Sequence, residues 1–88
     1  MGNMSEKPEN RIKRLKMRSM RRGIKEMDII LSAYAGRELE RMDGAQITLY
    51  DALLDENDQD LYSWVTGQTM APPQFRDLLA NIAQTFQK

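Results

Sequence analysis

The chain has 88 residues, with 13 Lys/Arg against 13 Asp/Glu, so its formal net charge is zero, and it has neither cysteine nor histidine. Those absences exclude disulfides, thiolate chemistry, and imidazole as a base or metal ligand, and the length allows one domain with a modest core. Carboxylate-only catalysis stays open, but it needs a pocket that shifts a pKa, and chains this short rarely have a deep one.

The first stretch, residues 1–8, reads as a polar, disordered leader closed by Pro8, with the folded domain over 9–88. It lacks the apolar core of a signal peptide. Glu6 stands where a myristoylation motif needs Ser or Thr. No apolar run approaches the roughly 20 residues that span a bilayer, so no membrane insertion is expected.

From Glu9 to Met20 the pattern predicts a helix with Ile12, Leu15 and Ser19 on one narrow face, Met20 beside it, and cations over most of the rest. Gly23 interrupts. A second helix is predicted over about 24–41, its stripe formed by Ile24, Met27, Leu31, Tyr34 and Glu38 and widened by Ile30 and Ala35. Gly36 lies inside that span. Asp43-Gly44 is a stop-and-turn signal. A third helix follows over about 45–54, carrying Ile47, Leu49, Tyr50, Leu53 and Leu54.

The acidic stretch Asp55-Glu56-Asn57-Asp58 comes next. Asn57 or Asp58 suits the N-cap of a short fourth helix holding Leu61, Tyr62, Trp64 and Val65, and Gly67 suits its end. Pro72 and Pro73 open a last helix, where a missing N–H costs little. Its stripe of Phe75, Leu78, Leu79, Ile82 and Phe86 is the cleanest in the chain. Trp64 is expected in the core, and Tyr34 and Tyr50 as core residues with the hydroxyl at the rim. The fold class is all-α, a compact five-helix bundle.

Charge is placed unevenly. Residues 1–25 hold nine cations and two carboxylates, a balance of +7, and residues 26–88 hold four and eleven, a balance of −7. The sign changes within Met20-Arg21-Arg22-Gly23-Ile24-Lys25-Glu26-Met27-Asp28. A glycine at that boundary leaves room for a partner's backbone, so this segment is the candidate docking site. A purely structural reading also fits. With Gly23 as N-cap, Glu26 falls at the third helical position, where it reaches back to the Gly23 N–H, and Glu26 and Asp28 complement the helix dipole. Arg22 and Glu26 are spaced to pair across one turn.

Four segments carry a resemblance. They are Arg21-Arg22-Gly23-Ile24-Lys25-Glu26-Met27-Asp28, Ile30-Leu31-Ser32-Ala33-Tyr34-Ala35, Leu49-Tyr50-Asp51-Ala52-Leu53-Leu54 and Asp58-Gln59-Asp60-Leu61-Tyr62-Ser63-Trp64. Together, over residues 11–86, the chain resembles the succinate dehydrogenase assembly factor 2 family, known in bacteria as the FAD assembly factor SdhE. The first segment looks like that family's Arg-Gly-x-x-Glu signature.

The resemblance implies a five-helix bundle that is not an enzyme. It would bind the flavoprotein subunit of succinate dehydrogenase, with fumarate reductase as a further client, and promote covalent attachment of FAD to a client histidine. The FAD then belongs to the client, and this chain binds no cofactor stably. The signature maps partner binding onto Arg22, Gly23 and Glu26. Arg22 would bond client carbonyls or carboxylates with its planar fork, Gly23 would permit close approach, and Glu26 would orient Arg22 or cap the helix. Arg18, Arg21 and Asp28 join by proximity. The segment Leu31–Ala35 looks closer to the mitochondrial branch. With no transit peptide read ahead of it, a bacterial, cytoplasmic member is expected. The rival reading is a nucleic-acid-associated or antitoxin-type regulator using the basic first helix. No aromatic interleaves those cations and the rest of the chain is acidic, so no nucleic acid is expected as partner.

Overall fold

A computed structural model describes residues 7–86, with the backbone alone at Phe86. Residues 1–6 of the leader expected over 1–8 lie outside the described residues, as does the Phe86 side chain. Five α-helices follow one another: α1 (Pro8–Arg18), α2 (Lys25–Glu38), α3 (Gly44–Leu54), α4 (Asp58–Thr66) and α5 (Arg76–Phe86). Two short 3-10 turns, Leu39–Arg41 and Pro73–Phe75, extend α2 and lead into α5. Among the described residues there is no strand, and the five-helix, all-α expectation holds.

Pro8 begins α1 instead of closing a leader, with Lys7 as the cap residue. Proline's fixed φ is already helical, and the first turn has no use for its missing N–H. The α3 start is stronger than a turn signal suggests. The Asp43 side chain accepts from the Gln46 N–H at 2.8 Å while Gln46 Oε1 accepts from the Asp43 N–H at 3.0 Å, a reciprocal capping box. Asn57 caps α4 by accepting from the Gln59 N–H. Gly67 ends that helix in the left-handed region, at φ 83°, and the Gln68 N–H closes on the Ser63 carbonyl at 2.8 Å.

The long helix α2 is the centre of the bundle and packs against α1, α4 and α5. Its buried residues Met27, Leu31, Tyr34 and Ala35 meet Leu15 from α1, Tyr50 and Leu53 from α3, Leu61 from α4, and Leu79 and Ile82 from α5. Burying such a side chain is worth roughly 1.5–3 kcal/mol of transfer free energy. Trp64 is half-buried and stacks on Phe75, ring centres 6.3 Å apart. Tyr34 keeps its hydroxyl at the rim, on Asn81 Oδ1, whereas the Tyr50 hydroxyl is buried, contrary to expectation. No helix among the described residues is long and apolar enough to cross a membrane.

Candidate functional site at the α1–α2 corner

The corner is the segment 19–24, which turns the chain from α1 into α2. It starts from a buried polar anchor. The Ser19 hydroxyl donates to the Leu15 carbonyl at 2.8 Å and lies 2.6 Å from the Tyr50 hydroxyl. Arg21 then adopts a left-handed backbone, φ 59°, a conformation that L-residues with a side chain enter at a cost of about 1–2 kcal/mol. Its N–H is held by Asp28 Oδ2 at 2.9 Å, and Asp28 Oδ1 accepts from the Ser32 hydroxyl. The Arg21 side chain points away from the fold and is exposed.

Arg22 turns the other way. Only 12% of its side chain is exposed, and its fork is filled by its own chain. Nε donates to Asp58 Oδ1 at 2.8 Å, and Nη2 lies 2.7 Å from the same oxygen. Nη1 donates to the Arg18 carbonyl at 3.1 Å, and Nη2 to the carbonyls of Leu54 at 3.2 Å and Glu56 at 3.4 Å. Arg18 and Leu54 are the last residues of α1 and α3, so one guanidinium serves carbonyls that two helix ends leave open. Carbonyls and a carboxylate are the acceptors expected for Arg22, but those it meets here belong to this chain.

Gly23 is exposed, and its N–H donates to Asp58 Oδ2 at 2.6 Å. The helix does not start there. The chain runs extended through Ile24, which is the N-cap at φ −114° and ψ 127° and makes no side-chain cap, so Glu26 is the second helical residue. The half capping box expected from Glu26 to Gly23 is therefore not formed, because Asp58 has taken the Gly23 N–H. The Arg22–Glu26 pair does not form either, since Arg22 faces inward. Lys25 and Glu26 are exposed, and neither side chain meets a partner among the described residues. Arg18 is engaged at both ends of its fork, with Nη1 on Asp51 Oδ1 and Nη2 on Asp55 Oδ1, each at 2.6 Å.

The six residues singled out by sequence thus gather in one place but divide in role. Arg21, Gly23 and Glu26 face outward, while Arg18, Arg22 and Asp28 bind the corner to the bundle. Sequence reasoning missed Asp58, Asp51 and Asp55 as partners of the basic segment. A signal was available: two blocks of equal and opposite net charge within one small domain.

A family model described as "flavinator of succinate dehydrogenase" matches residues 13–86. The chain belongs to this flavinator family. Relatives agree. Succinate dehydrogenase assembly factor 2, mitochondrial, of Mycosarcoma maydis is 38% identical over 71 residues, 81% of this chain and 30% of the relative. The protein of the same name from Meyerozyma guilliermondii is 39% identical over 72 residues, 78% of this chain and 53% of the relative. That of Drosophila grimshawi is 39% identical over 67 residues, covering 74% and 46%. The chain spans about half of these relatives' length or less.

The flavinator relatives correct one expectation. They are mitochondrial by name and come from fungi and flies, which overturns the reading of a bacterial, cytoplasmic chain. That reading rested on leader composition, and the packed residues that define this family carry no compartment address.

Proposed function

We propose that this chain is an assembly factor for succinate dehydrogenase that docks on the flavoprotein subunit and promotes covalent attachment of FAD to it. The observation that carries the reading is the exposed Gly23 on a turn fastened from below, flanked by the outward-facing Arg21, Lys25 and Glu26. A backbone without a side chain, between exposed charges of both signs, suits a polypeptide partner that lays its own backbone and charged groups against it. Family membership supports the same reading.

The bond-forming chemistry belongs to the flavin and the client histidine, and FAD is the client's own group. This chain holds no cofactor and performs no bond chemistry. Its contribution is to hold the client so that histidine and flavin are aligned, and such alignment removes several kcal/mol of barrier. The turn supplies that grip because it is already ordered and loses little freedom on docking.

A nucleic-acid role is disfavoured by where the α1 cations point. Arg11, Arg14 and Arg18 converge on Asp51, and Lys16 meets Glu40, so these cations are drawn toward carboxylates of the same fold.

In-gel flavin fluorescence of the flavoprotein subunit, with and without this chain, tests the function. Attachment is expected to accelerate with the wild-type chain and to be abolished by Gly23→Arg, with helix content by circular dichroism retained. Unchanged flavin attachment on adding the wild-type chain would refute the function.

A further inference from the structure

We propose that Asp58 is the positioning residue of the corner. From the first turn of α4 its carboxylate holds the Arg22-Gly23 turn in the shape the partner recognises, and Arg22 acts through Asp58 without reaching the partner. The first half stands on geometry alone; the second rests on the docking function proposed above.

Both oxygens of Asp58 are committed to the turn. Oδ1 receives Arg22 Nε, with Nη2 at ion-pair distance, and Oδ2 receives the Gly23 N–H. The two donors come from successive residues and converge on one carboxylate, which the Arg22 charge also pairs. An amide in its place has a single acceptor oxygen and would set N–H against N–H on its other side. Only 19% of the Asp58 side chain is exposed, so water competes weakly for these bonds.

The charges are also matched to the helix ends. Asp58 is the first helical residue of α4, where the dipole favours an anion. Arg22 sits on the closing carbonyls of α1 and α3, where it favours a cation. The pair therefore joins three helix ends at the point where the chain turns.

Gly23 is part of the same device. A Cβ built at that position would stand 3.1 Å from Asp58 Oδ2. The carboxylate closes on the Gly23 N–H because no side chain holds it off. Glycine at this position thus answers to its own fold as well as to a visitor.

The test compares Asp58→Asn and Asp58→Glu with Leu53→Ala, a buried core truncation that lowers stability without touching the corner. Two quantities are read at a temperature where every variant is folded: the Gly23 amide resonance, and affinity for the succinate dehydrogenase flavoprotein subunit. Asp58→Asn is expected to shift the Gly23 amide upfield and to weaken affinity tenfold or more. Asp58→Glu is expected to recover most of both. Leu53→Ala is expected to keep a wild-type Gly23 resonance and affinity within twofold.

A wild-type Gly23 resonance in Asp58→Asn overturns the proposal, as does unchanged affinity once that resonance has moved. A loss of affinity as large in Leu53→Ala reduces the effect to stability and overturns it too. A further measurement needs no variant. On adding the flavoprotein to the wild-type chain, the Gly23 and Lys25 amides are expected to move and the Arg22 Nε–H to stay. An Arg22 Nε–H that moves with them overturns the role assigned to Arg22, even if Asp58→Asn does not fold. If the wild-type chain fails to bind the flavoprotein, the function proposed above falls, and the Gly23 amide still decides whether Asp58 sets the turn.

Discussion

The Tyr50 hydroxyl lies 2.6 Å from Ser19 Oγ, with both residues fully buried, so a side chain of α3 pins the end of α1 where the corner begins. The Ser19 hydroxyl also reaches the Leu15 carbonyl and the Tyr50 hydroxyl the Leu31 carbonyl, so either hydroxyl can donate to the other. Removing the hydroxyl in Tyr50→Phe keeps the ring packing against Tyr34 and the Ser19–Leu15 bond. The expected cost is about 1–2 kcal/mol by urea unfolding at neutral pH.

The same pair has a pH signature. Burial, the largest influence, pushes the Tyr50 hydroxyl up to about 12, against the opposing effects of the Ser19 hydrogen bond and the Arg22 charge. A folded pKa above the unfolded value of 10.0 means that the contribution is fully present below pH 10. It is lost as pH rises from there toward 12, by an amount on the order of 3 kcal/mol. Unfolding curves at pH 8 and pH 11 are expected to separate more for wild type than for Tyr50→Phe. Equal separations would show that Tyr50 ionises as freely in the fold as out of it.

Two glycines are expected to respond oppositely to alanine. Gly36 lies inside α2 with open space where a Cβ would go. Gly36→Ala should stabilise by about 0.5–1 kcal/mol through helix propensity. At Gly23 the new Cβ meets Asp58 Oδ2, on a carboxylate whose other oxygen is held by Arg22, so it has little room to retreat. Gly23→Ala should cost about 1 kcal/mol as the charged hydrogen bond lengthens. Thermal unfolding of both variants measures the pair of signs.

Arg21 separates stability from docking. Its left-handed backbone is strained with a side chain and relaxed without one. Arg21→Gly is expected to raise stability by about 0.5–1 kcal/mol, after the larger entropy loss of glycine on folding is allowed for. It also removes an outward-facing cation, so flavoprotein affinity should fall while the melting temperature rises. A variant that gains stability and keeps full affinity would take Arg21 out of the contact.

Asp51 gathers three cations of α1: Arg18 at 2.6 Å, Arg14 at 3.4 Å and Arg11 at 3.6 Å. These pairs are partly exposed and therefore screened. Asp51→Asn should cost about 1–2 kcal/mol at low ionic strength, and the difference from wild type should shrink in about 1 M salt, where the screening length is a few ångströms. Denaturant midpoints at the two salt concentrations measure this.

Much of the architecture was legible in local pattern. The spacing of Phe75, Leu78, Leu79 and Ile82 placed one face of α5 and of the 3-10 turn that leads into it, and all four are buried. Asn57 and Gly67 marked the two ends of α4, because a cap and a left-handed stop are chemistry among near neighbours. The start of α2 was misread for the opposite reason. Glu26 could reach Gly23 on spacing alone, but the Gly23 N–H went to Asp58, which lies 35 residues further along. The +7 and −7 blocks were legible too, yet most of the α1 cations that suggested an outside partner turned out to face Asp51, Asp55 and Glu40.

By itself, then, the order of residues determined an all-helical chain, the ends of α4 and the main apolar faces. These follow from interactions within one or two turns, which spacing encodes directly. Only the tertiary structure decided that Arg22 points inward and Arg21 outward, and that Asp58 closes the turn. Those assignments depend on which helix ends meet in space, and a guanidinium takes whichever carboxylate the packing of distant apolar faces brings within its reach.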